Sequence, residues 1–424
     1  MSSAHTWVVV LLLAATSAPA LAQPQGTDDG STALRAALLA AARDRKAGES
    51  APPRRGRIER ALYRYDNSAV ATPFILQPWH GFQLAGGGFP AGAGTGVGVG
   101  FTHDLGRTRA AADPNRANRL AIDALGAYGT RGYSRVAAGF DMLRLAGAPL
   151  DVRVSGQHYE FPQQDFFGFT QDSRKEDRTN YLMRSTEGGA EVRWQATRLI
   201  DVAGGVFYLT PGIGSGTDSR YPSTDGFFNP AAIPGFKDQP DFIRTDASVA
   251  LDWRDNPLHP HAGGRYGLDF SDYRDRDLDT FGFRKVSIDL QQYLPIPNRY
   301  RTIALHAAAV FTDPRSGQQV PFYFEPTLGG AQALRGFREF RFQDRHSVLA
   351  TAEYRWEAWW ALDGAVFVDA GMVAADRHDF ALRDVDVSYG IGFRLHSNSA
   401  FVARLDLAFS REGFIPLLRF EHAF

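Results

Sequence analysis

From Phe82 to the end of the chain, apolar and polar positions alternate with a period of two. In Thr245–Trp253, Thr245, Ala247, Val249, Leu251 and Trp253 share one face, while Asp246, Ser248 and Asp252 share the other. Val286, Ile288 and Leu290 oppose Ser287, Asp289 and Gln291, and Phe401, Ala403, Leu405, Leu407 and Phe409 oppose Arg404 and Asp406. A period of two marks β-strands, whose successive side chains point to opposite faces. Such runs predict sixteen strands, near 82–88, 94–104, 118–128, 132–142, 149–161, 179–197, 199–210, 241–253, 263–273, 280–293, 299–311, 346–357, 362–370, 385–396, 400–410 and 413–424. The long connections follow odd-numbered strands (162–178, 211–240, 312–345 and 371–384), and tight turns such as 294–298 and 397–398 follow even ones. Only the 105–117 connection departs from that rule. An even strand count with long loops on one side is the pattern of a barrel that spans a membrane. A soluble sandwich would alternate too, with its charges outside.

Composition narrows the choice. The chain has 424 residues, a formal net charge of −1 and no cysteine, so nucleic-acid binding, disulfides, thiolate metal sites and cysteine nucleophiles are all disfavoured. It carries 43 Gly and is rich in Phe, with 31, a mixture that suits many short strands. Trp7–Ala15 is apolar and Ala20-Leu21-Ala22 resembles a cleavage site, so residues 1–22 read as a signal peptide. No later window is long and apolar enough for a spanning helix. Residues 23–77 are expected to form a short periplasmic N-terminal segment. Its helix, Thr32–Lys46, carries Leu34, Leu38 and Leu39 at helical spacing and ends before Pro52-Pro53. It is either a mobile tail or a helix docked at the barrel. Residues 78–424 are then the barrel. The fold class is all-β: a sixteen-stranded antiparallel transmembrane β-barrel with a long loop folded into its lumen, placed in the bacterial outer membrane. Its first strands are heavy in Gly (Gly86, Gly87, Gly88, Gly92, Gly94, Gly96, Gly98 and Gly100), which weakens pairing. The seam where they meet the last strand is expected to be weak enough to open sideways.

Thr327–Asp344, reading TLGGAQALRGFREFRFQD, is too polar and Gly-broken for a strand. At its middle, Arg335 stands beside Gly336 and Phe337, where a tight reversal would push the cation forward. A solvated basic loop would carry the same composition. The alternation turns Thr351, Glu353 and Arg355 inward on one strand, and Phe367, Asp369 and Gly371 inward on the next. A turn near 357–361 sets Glu353 opposite Phe367, with Asp369 a diagonal neighbour about 7–8 Å away. On the following strand, Gly390 and Gly392 face inward and remove side chains beside the two carboxylates, leaving an acidic hole that wants a cation. Arg335 lies eleven positions before His346, a tether that reaches over about 30 Å. Unconnected lumen charges, as in any porin, remain the other reading.

Several stretches together resemble the BamA/TamA family of outer-membrane barrels, also called the bacterial surface-antigen family, in its short form without POTRA domains. They are LRGF (Leu334–Phe337), FxDxG (Phe367–Gly371), GxG (Gly390–Gly392), DWRDNPLHPHAG (Asp252–Gly263), DFFG (Asp165–Gly168), RLDLAFS (Arg404–Ser410) and the terminal Phe424, the C-terminal signal. His422 stands where that signal usually has an apolar residue. The resemblance implies a sixth outer loop that plugs the lumen through Arg335 and Asp369, and a lateral seam. It further implies protein insertion, export or lipid handling through that seam. A small-solute channel is the alternative. Partners would be outer-membrane lipid and client proteins, with no nucleic acid. The barrel is expected to be monomeric and assembled by the cell's own barrel-assembly machinery. No GxSxG or metal-spaced histidine set appears, so no enzyme activity, cofactor or metal is expected. His259 and His261 read as turn residues, and Asp275–Asp279 as a solvated loop.

Overall fold

The computed structural model describes residues 81–86, 89–90, 93–107, 119–145, 148–257, 259–296, 301–359, 361–396 and 401–419. The expected signal peptide, the N-terminal segment with its helix, His422 and Phe424 lie outside the described residues, as does most of the 105–117 connection.

Sixteen strands form one sheet. They are β1 (Phe82–Gly86), β2 (Gly96–Arg107), β3 (Arg119–Gly129), β4 (Ser134–Leu143), β5 (Leu150–Phe166), β6 (Thr179–Gln195), β7 (Ile200–Ser215), β8 (Phe242–Asp252), β9 (Gly263–Asp275), β10 (Phe283–Pro295), β11 (Arg301–Pro314), β14 (His346–Trp359), β15 (Leu362–Ala374), β16 (Asp386–His396), β17 (Phe401–Ser410) and β18 (Gly413–Arg419). Each pairs antiparallel with its neighbours in chain order, and β11 passes directly to β14. The two remaining strands, β12 (Thr327–Leu328) and β13 (Phe342–Gln343), pair only with each other, inside the long β11–β14 loop.

The side chains decide between barrel and sandwich. Along β16, Val387, Tyr389, Ile391, Phe393 and Leu395 are all exposed, whereas Asp386, Ser388 and Arg394 between them are buried. Val366 and Val368 of β15 are exposed on either side of buried Phe367 and beside buried Asp369. In water each such aliphatic would forgo about 1.5–3 kcal/mol of burial, and each buried charge would add a desolvation cost. The arrangement is stable only with lipid outside and a polar interior, so the molecule is a transmembrane β-barrel. Exposed Tyr128, Tyr208 and Tyr389 stand toward the long-loop ends of their strands, and exposed Trp194 and Trp359 toward the short-turn ends. These are the amphipathic rings expected at the two membrane surfaces.

Several strands run past their expected ends. β5 continues to Phe166 through Pro162, and β7 to Ser215 through Pro211. Proline cannot donate to a ladder, which made each look like a strand end. Yet β4 pairs with β5 only as far as Glu160, and β8 with β7 only as far as Leu209. Beyond those points each strand has a single partner, and β5 is bulged between Phe161 and Gln164. The missing N–H therefore costs no ladder bond on that side.

Three apolar clusters anchor the β11–β14 loop. Phe322 packs with Phe166, Tyr181, Met183, Ile233 and Phe236. Val320 joins Leu209, Phe242, Tyr273, Phe281 and Phe283. Deeper, Leu328, Leu334, Phe337 and Phe342 of the loop pack on Leu349 and Val373 of the wall. The DFFG stretch thus supplies Phe166, whose ring meets that of Phe322 edge-on at 5.5 Å.

A candidate gate in the barrel lumen

The loop tip is a turn: the Phe337 N–H donates to the Leu334 carbonyl at 3.0 Å, and the Gly330 N–H to the Phe337 carbonyl at 2.9 Å. Positive φ is carried by Gly329 (119°) and Gly330 (85°), not by Gly336. What Gly336 provides is close approach. A Cβ there would lie 2.7 Å from the Phe409 carbonyl oxygen and from the Cβ atoms of Ser388 and Ser410. Phe337 is fully buried, its ring 5.1 Å from that of Phe342.

This turn places Arg335, 2 % exposed, against the wall. Its backbone N–H and Nε donate to Asp369 Oδ2 at 3.2 and 3.0 Å, Nη2 donates to Asp369 Oδ1 at 2.7 Å, and Nη1 donates to Glu353 Oε2 at 2.8 Å. The guanidinium lies 3.4 Å above the centre of the Phe367 ring. Thr351 and Ser388 hydroxyls also donate to Asp369, at 3.1 and 2.9 Å. Glu353 pairs with Phe367 and Thr351 with Asp369 across β14 and β15, the register that alternation predicts.

The cluster is larger than the sequence reading. Glu353 also accepts from Arg355 Nε at 2.8 Å and Arg394 Nη2 at 2.9 Å. Asp406 accepts from Arg394 Nη1 at 2.6 Å. Arg404 Nε faces Asp406 Oδ2 at 3.3 Å without hydrogen-bond alignment, and its Nη2 donates to the loop carbonyl of Ala331 at 3.0 Å. Four guanidiniums thus meet three carboxylates, all buried. Arg394 is reachable from sequence by carrying the alternation two residues past Gly392, and RLDLAFS already contains Arg404 and Asp406.

The glycines make room, but for other groups than expected. A Cβ on Gly390 would lie 2.6 Å from Phe367 Cζ and collide with the Leu407 carbonyl. A Cβ on Gly392 would strike the Arg394–Asp406 pair. Gly390 therefore seats the ring beneath Arg335, and Gly392 the neighbouring ion pair. Gly371, on the same inward face, lets Leu328 of the loop approach: a Cβ there would lie 3.1 Å from Leu328 Cδ1. Gly390→Ala is expected to cost about 1–3 kcal/mol of stability, as overpacking does, read as a lowered unfolding midpoint in detergent.

The loop also holds the last hairpin. The Ser410 hydroxyl donates to the Gly336 carbonyl at 2.7 Å. Arg341, 2 % exposed, donates to Glu412 Oε1 at 2.7 Å and to the Ser173 hydroxyl and carbonyl at 2.8 and 2.6 Å. The sequence carried no signal that set Arg341 apart from the loop's other arginines. The acidic run is tied down: the Asp275 carboxylate accepts backbone N–H bonds from Asp277, Leu278, Thr280 and Phe281, Asp277 accepts from the Asp241 N–H at 2.7 Å, and Asp279 from Gln318 Nε2 at 2.7 Å.

At the outer end of the loop, Glu325 is half-buried, but its Oε2 is enclosed without a hydrogen-bond partner. Burial first, then repulsion from Asp344, pushes its carboxyl up to about 8. A raised folded-state value means that the contribution to stability is full below the ordinary carboxyl range and is lost as pH rises through about 8. The loop is therefore expected to be cleaved faster by protease at pH 9 than at pH 6, and Glu325→Gln to flatten that difference.

The comparisons with known proteins agree with this architecture. The crystal structure of BamA from Haemophilus ducreyi lacking POTRA domains 1–3 is similar over 80% of this chain and 71% of that one, at 13% identity and a TM-score of 0.56. CdiB from Acinetobacter baumannii aligns over 77% of this chain and 56% of its own, at 11% identity and a TM-score of 0.48. The BamA likeness supports the fold. The Omp85 superfamily domain is matched over residues 170–413, more than half of the sequence and the part that holds the loop and its wall. The chain belongs to the Omp85 superfamily.

Proposed function

We propose that this barrel inserts proteins into the bacterial outer membrane, or moves proteins or lipid across it, through a seam between β1 and β18 gated by the β11–β14 loop. The observation that carries the reading is the division of the loop's bonds. Arg335 grips β14 and β15, while Gly336, Ala331 and Arg341 are held by Ser410, Arg404 and Glu412 of β17 and its hairpin. A loop that bonds both to the wall and to the last hairpin couples its own docking to the position of that edge. Family membership and the fold likeness to BamA support the same reading, and no catalytic role is assigned. A small-solute channel has less support, because the Arg335 cluster holds the loop inside the barrel, against β14 to β17, through buried side chains.

The absence of cysteine makes a clean test possible. In a Gly336→Cys/Ser410→Cys pair the Cβ atoms would start 2.7 Å apart, and the turn must draw back from the Phe409 carbonyl to reach the ~3.5–4.5 Å Cβ separation of a disulfide. In liposomes, the reduced protein is expected to speed the folding of a urea-denatured outer-membrane barrel at least about tenfold over empty liposomes, and the oxidised protein to lose that effect. Unchanged acceleration after oxidation would remove the gate. No acceleration in either state, with steady ion-selective conductance in planar bilayers, would replace the reading with a solute channel.

A further inference from the structure

A second polar cluster lies at the short-turn end of the barrel, apart from the Arg335 network. It joins three elements that are distant in the strand order. The turn between β8 and β9 supplies His259, the start of β15 supplies Asp363, and the end of β16 supplies His396. Three strands, β10, β11 and β14, separate β9 from β15 in the sheet. The turn meets β15 only by folding across the mouth of the barrel. Its route is marked by Thr302 of β11, whose hydroxyl lies 3.5 Å from the His261 carbonyl.

We propose that His259, Asp363 and His396 bind a divalent transition-metal ion of the Zn²⁺ class, which staples the β8–β9 turn across the periplasmic mouth. His259 Nε2 lies 3.0 Å from Asp363 Oδ2, and His396 Nε2 lies 3.3 Å from Asp363 Oδ1. One donor atom from each of the three residues falls within 4.8 Å of the others. Ligands held about 2.0–2.2 Å from a tetrahedral zinc sit roughly 3.3–3.5 Å apart, so small side-chain adjustments complete the set. Two imidazoles and one carboxylate are zinc's usual nitrogen and oxygen donors, and three protein ligands leave one position open.

Three further features favour an ion over a simple hydrogen-bonded cluster. Both Nε2 atoms face the same carboxylate, and the rings stack with centroids 4.5 Å apart, so a rotation of one ring brings both in-plane lone pairs onto one ion. As neutral Nε2–H tautomers both rings would donate to Asp363, whereas as Nδ1–H tautomers they would offer two lone pairs, with the carboxylate, to one dication. A cavity of about 10 Å³ lies beside two of the three, His259 and Asp363, and is lined also by His261, Thr302, Arg355 and Glu357, the room of about one small ion or water. The turn is also preorganised: the Asp255 carboxylate accepts the N–H groups of Asn256, His261 and Ala262 at 2.9, 2.9 and 3.1 Å, which braces the backbone on both sides of His259. Arg355 reaches both this cavity and Glu353, so the staple touches the network that holds Arg335.

The test is isothermal titration of untagged, detergent-folded barrel with ZnCl₂, alongside His259→Gln, Asp363→Asn and His396→Gln. One zinc equivalent is expected in the parent protein, with affinity falling at least about 100-fold in each variant, and zinc is expected to raise the parent's unfolding temperature only. Folding of each variant is checked by its heat-dependent gel shift. Should a variant fail to fold, Co²⁺ added to the parent decides: a one-equivalent visible band displaced by Zn²⁺ supports the site, and no saturable band overturns it. Equal zinc affinity in the parent and in the folded variants overturns the proposal as well.

Discussion

Arg335→Ala is expected to release the loop. The substitution leaves Glu353 and Asp369, 1 % and 0 % exposed, without the guanidinium that bridges them. Breaking a buried pair by removing one partner costs about 3–5 kcal/mol, or roughly two to four orders of magnitude in the docked-to-undocked ratio. Limited proteolysis of the folded barrel reads this directly, as cleavage between Arg315 and Arg345 that the parent resists. Arg335→Lys is expected to fall between the two. An ammonium keeps the charge but cannot reproduce the fork that spans Asp369 Oδ1, Asp369 Oδ2 and Glu353, nor lie flat on the Phe367 ring. Adding Asp369→Asn to Arg335→Ala is expected to restore part of the loss, because it removes a stranded charge. If Arg335→Ala resists protease as the parent does, the apolar packing of Leu334, Phe337 and Phe342 alone holds the loop, and the ion pairs are secondary.

The second large effect is an asymmetry within the same cluster. Among its seven ionic groups the positive charges exceed the negative by one, and Arg404 is the poorly satisfied member: fully buried, with Nε and Nη1 lacking hydrogen-bond partners. Among the described residues Asp406 is its one carboxylate neighbour within salt-bridge distance, and it also holds Arg394. Asp406→Asn is therefore expected to cost about 3–5 kcal/mol, since it widens the imbalance in a buried site. Arg404→Met is expected to be within about 1 kcal/mol of neutral or stabilising, because it removes the surplus charge and keeps the volume. Unfolding midpoints of the two variants check the order. An Arg404→Met variant less stable than Asp406→Asn would mean that the bond from Arg404 to the Ala331 carbonyl outweighs the charge balance.

The two substitutions also bear on the gate. Both residues sit on β17, next to the last strand, and Arg404 touches the loop itself. A change in loop protease sensitivity that follows Asp406→Asn would tie the lumen cluster to the terminal hairpin, as the proposed function requires.

Much of this was legible in the sequence because a strand has one periodicity and a barrel has two unlike solvents. Once alternation marked Val366 and Val368 as outward, Phe367, Asp369 and Gly371 had no other face to occupy, and a short turn then set Glu353 against Phe367. The strand count and the long-loop side followed from the same rule. What alternation cannot carry is contact between elements far apart in the sheet. The tether length allowed Arg335 to reach mid-barrel, but many residues could have occupied that depth. The loop's turn at Leu334–Phe337, the stacking of Arg335 on Phe367 and the hold of Arg341 on Glu412 arise only when the apolar clusters fold the loop into one path. For the same reason Gly390 and Gly392 were readable as space but not as space for particular groups, and His259 as a turn residue but not as a neighbour of Asp363 and His396. Period and polarity settle which way a side chain points. Which side chain it meets across the lumen depends on packing that closes distances of many strands, and only the folded chain decides that.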